Sequence, residues 1–394
     1  MPAVPPQRSS ASATGGKLIG RIMLCVTEDW FALSHFQPLI ALLVRLADKV
    51  LVVTRSSGRL AEIEALGART LDFDYHRASV APAQELRSAH RLAAVVREFK
   101  PDVLHLVAMK PIMLGGLAAR LATVPHVVMH LTGLGFLGIT ETPKVRLLRW
   151  LVLKQMAQTL RRRGSWLLVE NPEDLAYLAS AGVIAGDRQT ILGGAGIDPV
   201  RFPLQPPAPD GTCHAAYVGR MIRPKGVEIL MAAAGMLADR KVPITIDLYG
   251  ACDQQNPDTL TPATLEAWNR LGHGRWHGPT TDVAGIWRRS EIFVLPALGR
   301  EGLPRALLEA AACGRAAIVT DVPGCRDFVR AAIEGLIVQP GDAHALADAL
   351  ATLAADTSLR HRLGRAARAR VLDGYTIADV VAGLERSYNS LAQQ

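Results

Sequence analysis

The segment REGLPRALLEA, residues 300–310, lies between two short apolar runs at residues 292–296 and 316–320. Apolar runs of this length, bounded by Pro and Gly, are typical of buried parallel strands. The segment between them should therefore form a loop followed by a crossover helix. Gly302 lets the backbone approach a ligand closely, and Pro304 suits the first turn of a helix because its missing N–H would have no partner there. We expect the helix to begin near Leu303, with its free N–H groups at the edge where open α/β sheets bind anions.

Two glutamates flank this predicted anion site. Glu301 precedes the helix, and Glu309 follows it by eight residues in sequence, about two turns into the helix. Ionised carboxylates only accept hydrogen bonds, so they suit the hydroxyls of a ribose and a sugar on either side of a diphosphate. The pair alone could equally be a surface helix residue and a partner of the helix dipole.

The segment resembles a known family signature. EGLPRALLEAAACG at residues 301–314 and DVPGCR at residues 321–326 are similar to the Glu-x7-Glu region of retaining, nucleotide-sugar-dependent glycosyltransferases of family 4. The form is that of bacterial enzymes of O-antigen, capsule and exopolysaccharide assembly. The resemblance covers nearly the whole chain after residue 18. It implies the α/β GT-B fold, in which two Rossmann-like domains with parallel sheets face each other across a cleft.

A second motif, GRMIRPKG at residues 219–226, follows the first predicted strand of the second half of the chain. It resembles the Gly-Arg-x4-Lys-Gly element of the same family, in which Arg and Lys grip the donor diphosphate. Arg220 can bind phosphate oxygens in bidentate fashion, and Lys225 supplies a compact positive charge. Both would stabilise the charge that develops on a departing nucleotide diphosphate. Without the first motif, such a loop would usually be only a solvated basic loop.

The resemblance implies a set of site residues. The catalytic set is Arg220, Lys225, Glu301 and His130. The donor-binding set is Gly219, Gly250, His277, Gly278, Gly302, Leu303, Pro304, Arg305 and Glu309. For two of these a structural alternative stays open, because His277 could be a loop histidine without a ligand and Arg305 could simply cap the surface.

The acceptor side is expected in the first half of the chain. Many family members have a His after the strand predicted here at residues 126–130, but this sequence reads MHLTGLGF at residues 129–136. Thr132 therefore takes the usual His position, and His130 lies two residues upstream. His130 could act near the reacting sugar or pack in the core, and both interpretations stay open. The acceptor-side candidates are Asp29, His35, Lys110, Thr132 and Gly133.

The resemblance also implies a mechanism. The expected enzyme is a hexosyl or N-acetylhexosaminyl transferase that uses a nucleotide diphosphate sugar, with a UDP-sugar favoured, and needs no metal or cofactor. Front-face attack would retain the anomeric configuration. Glu301 would orient the donor sugar and Glu309 would hold the ribose, so we do not interpret them as the acid and base of a hydrolase. Two rivals are a non-hydrolysing sugar-nucleotide epimerase of the same architecture and a catalytically silent nucleotide-sugar-binding scaffold.

Length and alternation predict two domains. The chain has 394 residues, 49% of them hydrophobic, and strands alternate with helices in both halves, as in doubly wound sheets. Ser34 is predicted to cap a first helix that runs to about residue 47. The predicted organisation is a disordered tail at 1–17, an N-terminal acceptor-side domain at 18–203, a linker at 204–210, a nucleotide-sugar-binding domain at 211–375, and a final helix at 376–394 that crosses back to the first domain.

Charge and cysteine usage limit the partners and the compartment. The net charge of +8 favours nucleotide diphosphates, lipid-linked acceptors and anionic membranes, whereas no nucleic-acid recognition motif is present. The five cysteines are scattered, which predicts a reducing cytoplasm. Residues 144–163 combine basic and apolar residues with a Trp. They could form a helix that lies on the inner face of the cell membrane, or an ordinary domain helix with a solvated basic face.

Overall fold

The computed structural model describes residues 18–76, 81–134, 142–206, 213–254 and 256–393. The predicted tail at residues 1–17 and residues 207–210 of the predicted linker lie outside the described residues. The strands of the described chain form two sheets, of seven and six strands, and all the paired strands run parallel. This confirms the predicted α/β class with two Rossmann-like sheets.

The N-terminal lobe, residues 18–206, contains the first sheet. Its strands are β1 (Ile19–Glu28), β2 (Ala47–Arg55), β3 (Arg69–Asp72), β4 (Val103–Val107), β5 (His126–Leu131), β6 (Ser165–Val169) and β7 (Gln189–Ile191). Its helices are α1 (Asp29–His35), α2 (Gln37–Leu46), α3 (Leu60–Glu64), α4 (Pro82–Phe99), α5 (Met109–Ala122), α6 (Pro143–Leu160) and α7 (Pro172–Ser180). The strand order is β3-β2-β1-β4-β5-β6-β7.

The C-terminal lobe, residues 213–375, contains the second sheet. Its strands are β8 (Cys213–Val218), β9 (Ile244–Tyr249), β10 (Arg275–Trp276), β11 (Ile292–Leu295), β12 (Ala316–Thr320) and β13 (Gly335–Val338). The helices that follow are α8 (Val227–Asp239), α9 (Pro262–Leu271), α10 (Val283–Arg289), α11 (Arg305–Ala312), α12 (Cys325–Phe328), α13 (Ala343–Ala355), α14 (Thr357–Leu372) and α15 (Ile377–Ala392). The strand order is β10-β9-β8-β11-β12-β13.

Both faces of each sheet are covered by helices, which explains the nearly continuous apolar character of the strands. In β5, Val127 and Met129 pack into the core beneath α4, α5 and α6, while Val128 packs into the core on the opposite face. Since all strands of a sheet run the same way, the loops that follow them meet at one edge. In the second sheet, that edge collects the loops after β8, β9, β11 and β12.

The last helix, α15, packs on the N-terminal lobe although it follows the C-terminal one. Val380, Leu384, Tyr388 and Leu391 of α15 belong to the same buried cluster as the β1 and α2 side chains. The helix begins with a capping box, in which Thr376 and Asp379 bond each other's backbone N–H groups.

Ser34 does not cap the first helix, contrary to the sequence prediction. It lies inside α1, which starts directly after β1, and its hydroxyl donates to the carbonyl oxygen of Phe31 at 3.3 Å. The chain leaves helical geometry at Phe36 (φ −121°), and α2 begins with Pro38 in its first turn. The predicted helix to about residue 47 is therefore α2, which starts a few residues later than predicted, and α1 before it was not predicted.

The helix of the Glu301 segment also starts later than predicted. α11 begins at Arg305, and Pro304 is the extended residue before it (φ −62°, ψ 118°). Strand β7 was not predicted at all, because its three residues lie at the exposed end of the sheet. Within the described residues, we find no helix that is both long and apolar enough to cross a membrane.

Candidate active site

The loops after β8 and β9 run side by side at the edge of the second sheet. The N–H of Gly219 donates to the carbonyl oxygen of Tyr249 at 2.9 Å, and the N–H of Gly250 donates to that of Gly278 at 2.9 Å. A Cβ atom on Gly250 (φ +148°) would lie 1.8 Å from the Gly219 oxygen. Only glycine fits there, so three of the predicted donor-site glycines form one packed set of turns.

Lys225 and Glu301 bring the two sequence motifs together. The Nζ atom of Lys225 lies 2.7 Å from Oε2 of Glu301, although the two residues are 76 positions apart in sequence. Their side chains are 20% and 17% exposed. Gly226 makes this approach possible, because a Cβ there would lie 1.8 Å from the carbonyl oxygen of Pro296. The geometry therefore joins the basic loop after β8 to the carboxylate loop after β11.

Arg220 is held at the same edge by two contacts. Its carbonyl oxygen accepts a hydrogen bond from the buried hydroxyl of Tyr217 at 2.7 Å. Its guanidinium donates to Oδ2 of Asp253 at 2.9 Å. Asp253 was not among the predicted site residues. The Arg220 side chain stays 39% exposed, so the guanidinium remains accessible to an anion.

Glu309 is buried rather than a solvated helix residue. It is 6% exposed, and its Oε1 atom accepts a hydrogen bond from Nε of Arg305 at 2.8 Å. Burial raises the pKa of the carboxyl group, and the nearby Arg305 and Arg201 only partly offset that rise. The alternative interpretation of Glu309 as a surface residue is therefore wrong, and Arg305 is its partner.

His277 is held beside the Gly250 turn by an aspartate. Its Nε2 atom lies 2.6 Å from Oδ1 of Asp247, whose other oxygen lies 3.2 Å from Nδ1 of His214. The ring stacks on Tyr249 with centroids 4.5 Å apart. These contacts fix the ring orientation, and the binding of a donor by His277 stays a prediction.

Thr132 and Gly133 of the N-terminal lobe lie against the loop that carries Glu301. A Cβ on Gly302 would lie 2.4 Å from the carbonyl oxygen of Thr132. A Cβ on Gly133 (φ +114°) would lie 2.9 Å from the backbone nitrogen of Gly302. The two lobes thus meet backbone to backbone at this point, so the acceptor-side loop borders the donor-side loop.

His130 lies in the core of the N-terminal lobe. It is 2% exposed, its Nδ1 atom lies 3.4 Å from Nε2 of His105, and His105 bonds the Tyr388 hydroxyl at 2.7 Å. Burial lowers the pKa of His130 to about 3, which keeps the ring neutral. The geometry agrees with the core interpretation of the sequence, and a catalytic role for His130 stays a prediction.

The other acceptor-side candidates differ in their surroundings. Asp29 is fully buried and accepts the N–H groups of Ser57 and Arg59 at 2.7 and 2.9 Å, so it anchors the loop after β2. Lys110 pairs with Glu85 at 2.5 Å.

His35 faces the positive charges of the C-terminal lobe. Burial, followed by the charges of Arg305, Lys225 and Arg220, lowers its pKa to about 3. Its Nδ1 atom lies 2.7 Å from the hydroxyl oxygen of Ser34. A neutral imidazole in this place can accept or donate a hydrogen bond, but it adds no charge to the cleft.

Comparison with known sequence families agrees with the geometry. A family described as "Glycosyl transferases group 1" matches residues 212–356, and one described as "Glycosyl transferase 4-like" matches residues 21–162. Together they match most of the chain. The chain is a family 4-type glycosyltransferase.

Similar proteins include several bacterial glycosyltransferases. The chain is 26% identical over 347 residues to the N,N'-diacetylbacillosaminyl-diphospho-undecaprenol alpha-1,3-N-acetylgalactosaminyltransferase of Campylobacter jejuni, covering 85% of this chain and 89% of that protein. It is 24% identical over 328 residues to an Escherichia coli UDP-Gal:alpha-D-GlcNAc-diphosphoundecaprenol alpha-1,3-galactosyltransferase, covering 77% of this chain and 79% of that one. The structure of Anabaena HepE in complex with UDP and glucose superposes with a TM-score of 0.75 at 17% identity, covering 94% of this chain and all of that chain. That likeness shows a shared GT-B fold.

The sequence prediction missed a group of residues in this glycosyltransferase that contact the Glu301 loop from the other lobe. Glu170 and Asn171 follow β6, and Asp174 lies in the first turn of α7. Asp174 accepts two hydrogen bonds from Arg300, at 3.2 and 2.8 Å. The signal was the polar sequence ENPED at residues 170–174, directly after the buried strand β6.

One Asp-x-Asp sequence, Asp72-Phe73-Asp74, was also overlooked. It lies at the end of β3, the outer strand of the first sheet. Asp72 accepts the N–H of Ser56 at 2.9 Å, and Asp74 accepts that of His76 at 2.8 Å. Asp72 therefore ties the end of β3 to the loop after β2, and Asp74 takes part in a local turn. Among the residues that the structure describes, no three His, Cys, Asp or Glu side chains are grouped so as to hold a metal ion.

Proposed function

We propose that this glycosyltransferase moves a hexose or N-acetylhexosamine from a UDP-sugar to a hydroxyl of a polyprenyl-diphosphate-linked saccharide during surface polysaccharide assembly. The transfer retains the anomeric configuration and needs no metal ion. The observation that carries the proposal is the Lys225–Glu301 pair at the sheet edge, with Arg220 beside it. Two similar bacterial transferases are named for undecaprenyl-diphosphate-linked acceptors, which supports the acceptor class.

The donor roles follow from charge and hydrogen-bonding capacity. Arg220 and Lys225 carry the positive charge that a nucleotide diphosphate needs, since a guanidinium binds two phosphate oxygens at once and an ammonium adds a compact charge. Glu301 accepts hydrogen bonds from donor-sugar hydroxyls, and Glu309 accepts them from the ribose. Lys225 thus lies between the diphosphate and the carboxylate that holds the sugar.

The chemical step is a substitution on one face of the sugar. The bond between the anomeric carbon and the diphosphate oxygen breaks, and a bond from the same carbon to the acceptor oxygen forms on the same face. The acceptor proton passes to the departing diphosphate oxygen. Arg220 and Lys225 stabilise the charge that develops on this oxygen, and this stabilisation is the main contribution of the protein to the rate.

The acceptor class also gives a role to α6. Leu147, Trp150, Leu151 and Lys154 recur at helical spacing on one side of α6, and the three apolar side chains are 59%, 53% and 49% exposed. Lys154 lies over the Trp150 ring at 4.6 Å. An apolar stripe with a Trp and basic residues suits an anionic membrane surface. We propose that α6 contacts the inner face of the cell membrane peripherally.

Vesicle binding tests the membrane part of the proposal. Vesicles that contain phosphatidylglycerol should carry the protein upward in a flotation gradient, whereas phosphatidylcholine vesicles should not. Trp150→Ala should weaken flotation, and Leu271→Ala, which removes a residue 63% exposed on the C-terminal lobe, should leave it unchanged. Equal flotation of both variants would refute docking through α6.

The transfer itself is tested with purified protein in a chelator. A panel of UDP-sugars is incubated with polyprenyl-diphosphate-linked saccharides, and the anomeric configuration of the product is read by NMR. Transfer with retention from one UDP-sugar supports the proposal. Conversion of the donor without any acceptor would identify an epimerase, and an inverted product or a requirement for metal would contradict the mechanism.

A further inference from the structure

The backbone of the Glu301 loop is held by two residues of the opposite lobe. Oε2 of Glu170 accepts the N–H of Leu303 at 2.9 Å. Nδ2 of Asn171 lies 3.4 Å from the carbonyl oxygen of Glu301 and 3.3 Å from that of Gly302. Side chains of the N-terminal lobe therefore bind polar backbone groups of three consecutive residues in the C-terminal lobe.

The fit at this contact is close on both sides of the loop. A Cβ on Gly302 would lie 2.2 Å from Oε2 of Glu170, so the carboxylate packs directly against the glycine Cα. On the other side, a Cβ on Gly324 (φ +81°) would lie 1.8 Å from the Gly302 carbonyl oxygen, and the N–H of Glu301 donates to Pro323 at 3.1 Å. The loop is enclosed between the two lobes, which fixes its backbone.

The backbone fixes the direction of the Cα–Cβ bond from which the Glu301 side chain extends. The carboxylate then reaches Lys225 at 2.7 Å. We infer that Glu170 and Asn171 are positioning residues that set the place of the Glu301 carboxylate at the donor sugar. This inference rests on the proposed transferase function and assigns to the acceptor-side lobe a part in building the donor site.

Glu170 is buried, which distinguishes its contact from an exposed ion pair between the lobes. Burial raises the pKa of Glu170 to about 7, the Leu303 N–H partly offsets the rise, and the carboxylates of Asp174 and Glu301 add to it. A buried carboxylate beside two others is unfavourable for stability. Its presence here is better explained by the hydrogen bond that it accepts than by a gain in lobe cohesion.

A second contact between the lobes provides a matched control. Both oxygens of Glu173 accept hydrogen bonds from Arg326, each at 2.6 Å, and the two side chains are about one third exposed. Neither the Glu173 nor the Arg326 side chain forms a hydrogen bond with residues 301–303. If cohesion between the lobes were all that mattered, loss of the Glu173 pair should affect turnover as much as loss of the Glu170 contact.

Steady-state kinetics of four variants of the full chain test the inference. Glu170→Ala removes the acceptor of the Leu303 N–H, and Glu170→Gln keeps a neutral oxygen acceptor there. Asn171→Ser keeps an oxygen for its cap on α7, where Asn171 accepts the N–H of Asp174 at 2.7 Å. It loses the Nδ2 donor, which contacts the two loop carbonyls and also donates to Oδ2 of Asp174 at 3.0 Å. Glu173→Gln is the control. For each variant, kcat and the KM values for donor and acceptor are measured, and melting curves check that the variant folds.

We expect kcat to fall about 10- to 100-fold in Glu170→Ala and Asn171→Ser, because a small misplacement of a donor-holding group lowers the rate strongly. Glu170→Gln should recover most of the rate, and Glu173→Gln should stay within twofold of the parent. If Glu170→Ala does not fold, the fall in kcat of Asn171→Ser tests the inference instead. Unchanged kcat in Asn171→Ser, or an equal loss in Glu173→Gln, would overturn the inference. Absence of transfer by the parent protein would instead refute the proposed function.

Discussion

In the C-terminal lobe, charged side chains from separate loops pair with one another at the sheet edge, whereas in the N-terminal lobe the charged candidates are bound by their own scaffold. Lys225 reaches Glu301 across 76 residues of sequence, and Arg220 reaches Asp253 from the neighbouring loop. In contrast, Asp29 accepts N–H groups of the loop after β2. The Asp29 contacts stabilise its own loop, whereas the C-terminal pairs join separate loops at the sheet edge where the donor site is proposed.

The largest effect is expected for Arg220→Ala. We expect kcat to fall by a factor of about 10² or more, as removal of one oriented donor to developing charge typically does. The control is Arg223→Ala, which removes an exposed arginine of the same loop that pairs with Glu228. Single-turnover rates measure the effect. A similar loss in both variants would mean that the loop contributes only general positive charge.

Asp29→Asn should mainly destabilise the fold. The Asn amide would direct its NH2 group at N–H donors that the carboxylate now satisfies, so we expect a loss of about 2 kcal/mol in the free energy of unfolding at pH 7. Denaturant unfolding measures it, with the exposed Asp48→Asn as control. An unchanged stability together with a large loss of turnover would place Asp29 among the acceptor-binding residues instead.

The pH dependence of that loss has a definite sign. Burial alone would raise the pKa of Asp29. The hydrogen bonds from Ser57, Arg59 and Trp30 outweigh this effect, so the pKa lies below its usual value. A carboxyl group with a lowered pKa in the folded state stabilises the fold above its unfolded pKa of about 3.9. The difference between the parent and Asp29→Asn should therefore shrink as the pH falls below 4.

A smaller effect is expected for Glu309→Gln. It removes the charge from a hydrogen-bond acceptor proposed for the ribose and weakens the contact with Arg305. We expect the donor KM to rise about tenfold, with kcat nearly unchanged, since charged hydrogen bonds contribute about 1.5–3 kcal/mol. The exposed Glu266→Gln serves as control. A fall in kcat without a change in KM would assign Glu309 to the chemical step.

Much of the C-terminal lobe could be predicted from local sequence. Short apolar runs bounded by Pro and Gly gave β11 and β12 within a residue, and parallel strands bring the loops after them to one edge. The start of α11 was predicted two residues early. Leu303 precedes a proline, which disfavours helical geometry at that residue, and Pro304 is itself extended (ψ 118°) as the residue before the helix.

The N-terminal lobe was harder to predict for physical reasons. Both faces of its sheet are covered, so alternation within β5 does not reveal that His130 points into the core rather than toward the cleft. Glu170 and Asn171 were missed because their contacts are to residues more than 100 positions away in sequence. Only the polar sequence after β6 indicated a loop at the functional edge.

The most direct test of the account is the thermal stability of the protein with UDP in excess chelator. A ligand that binds only the folded state raises the melting temperature by mass action, and at 100 times its dissociation constant it adds about 2.7 kcal/mol. We predict a rise of several degrees for the parent protein and for Arg223→Ala, and none for Arg220→Ala. A rise that requires metal, or that persists in Arg220→Ala, would contradict a donor diphosphate held by the basic loop after β8.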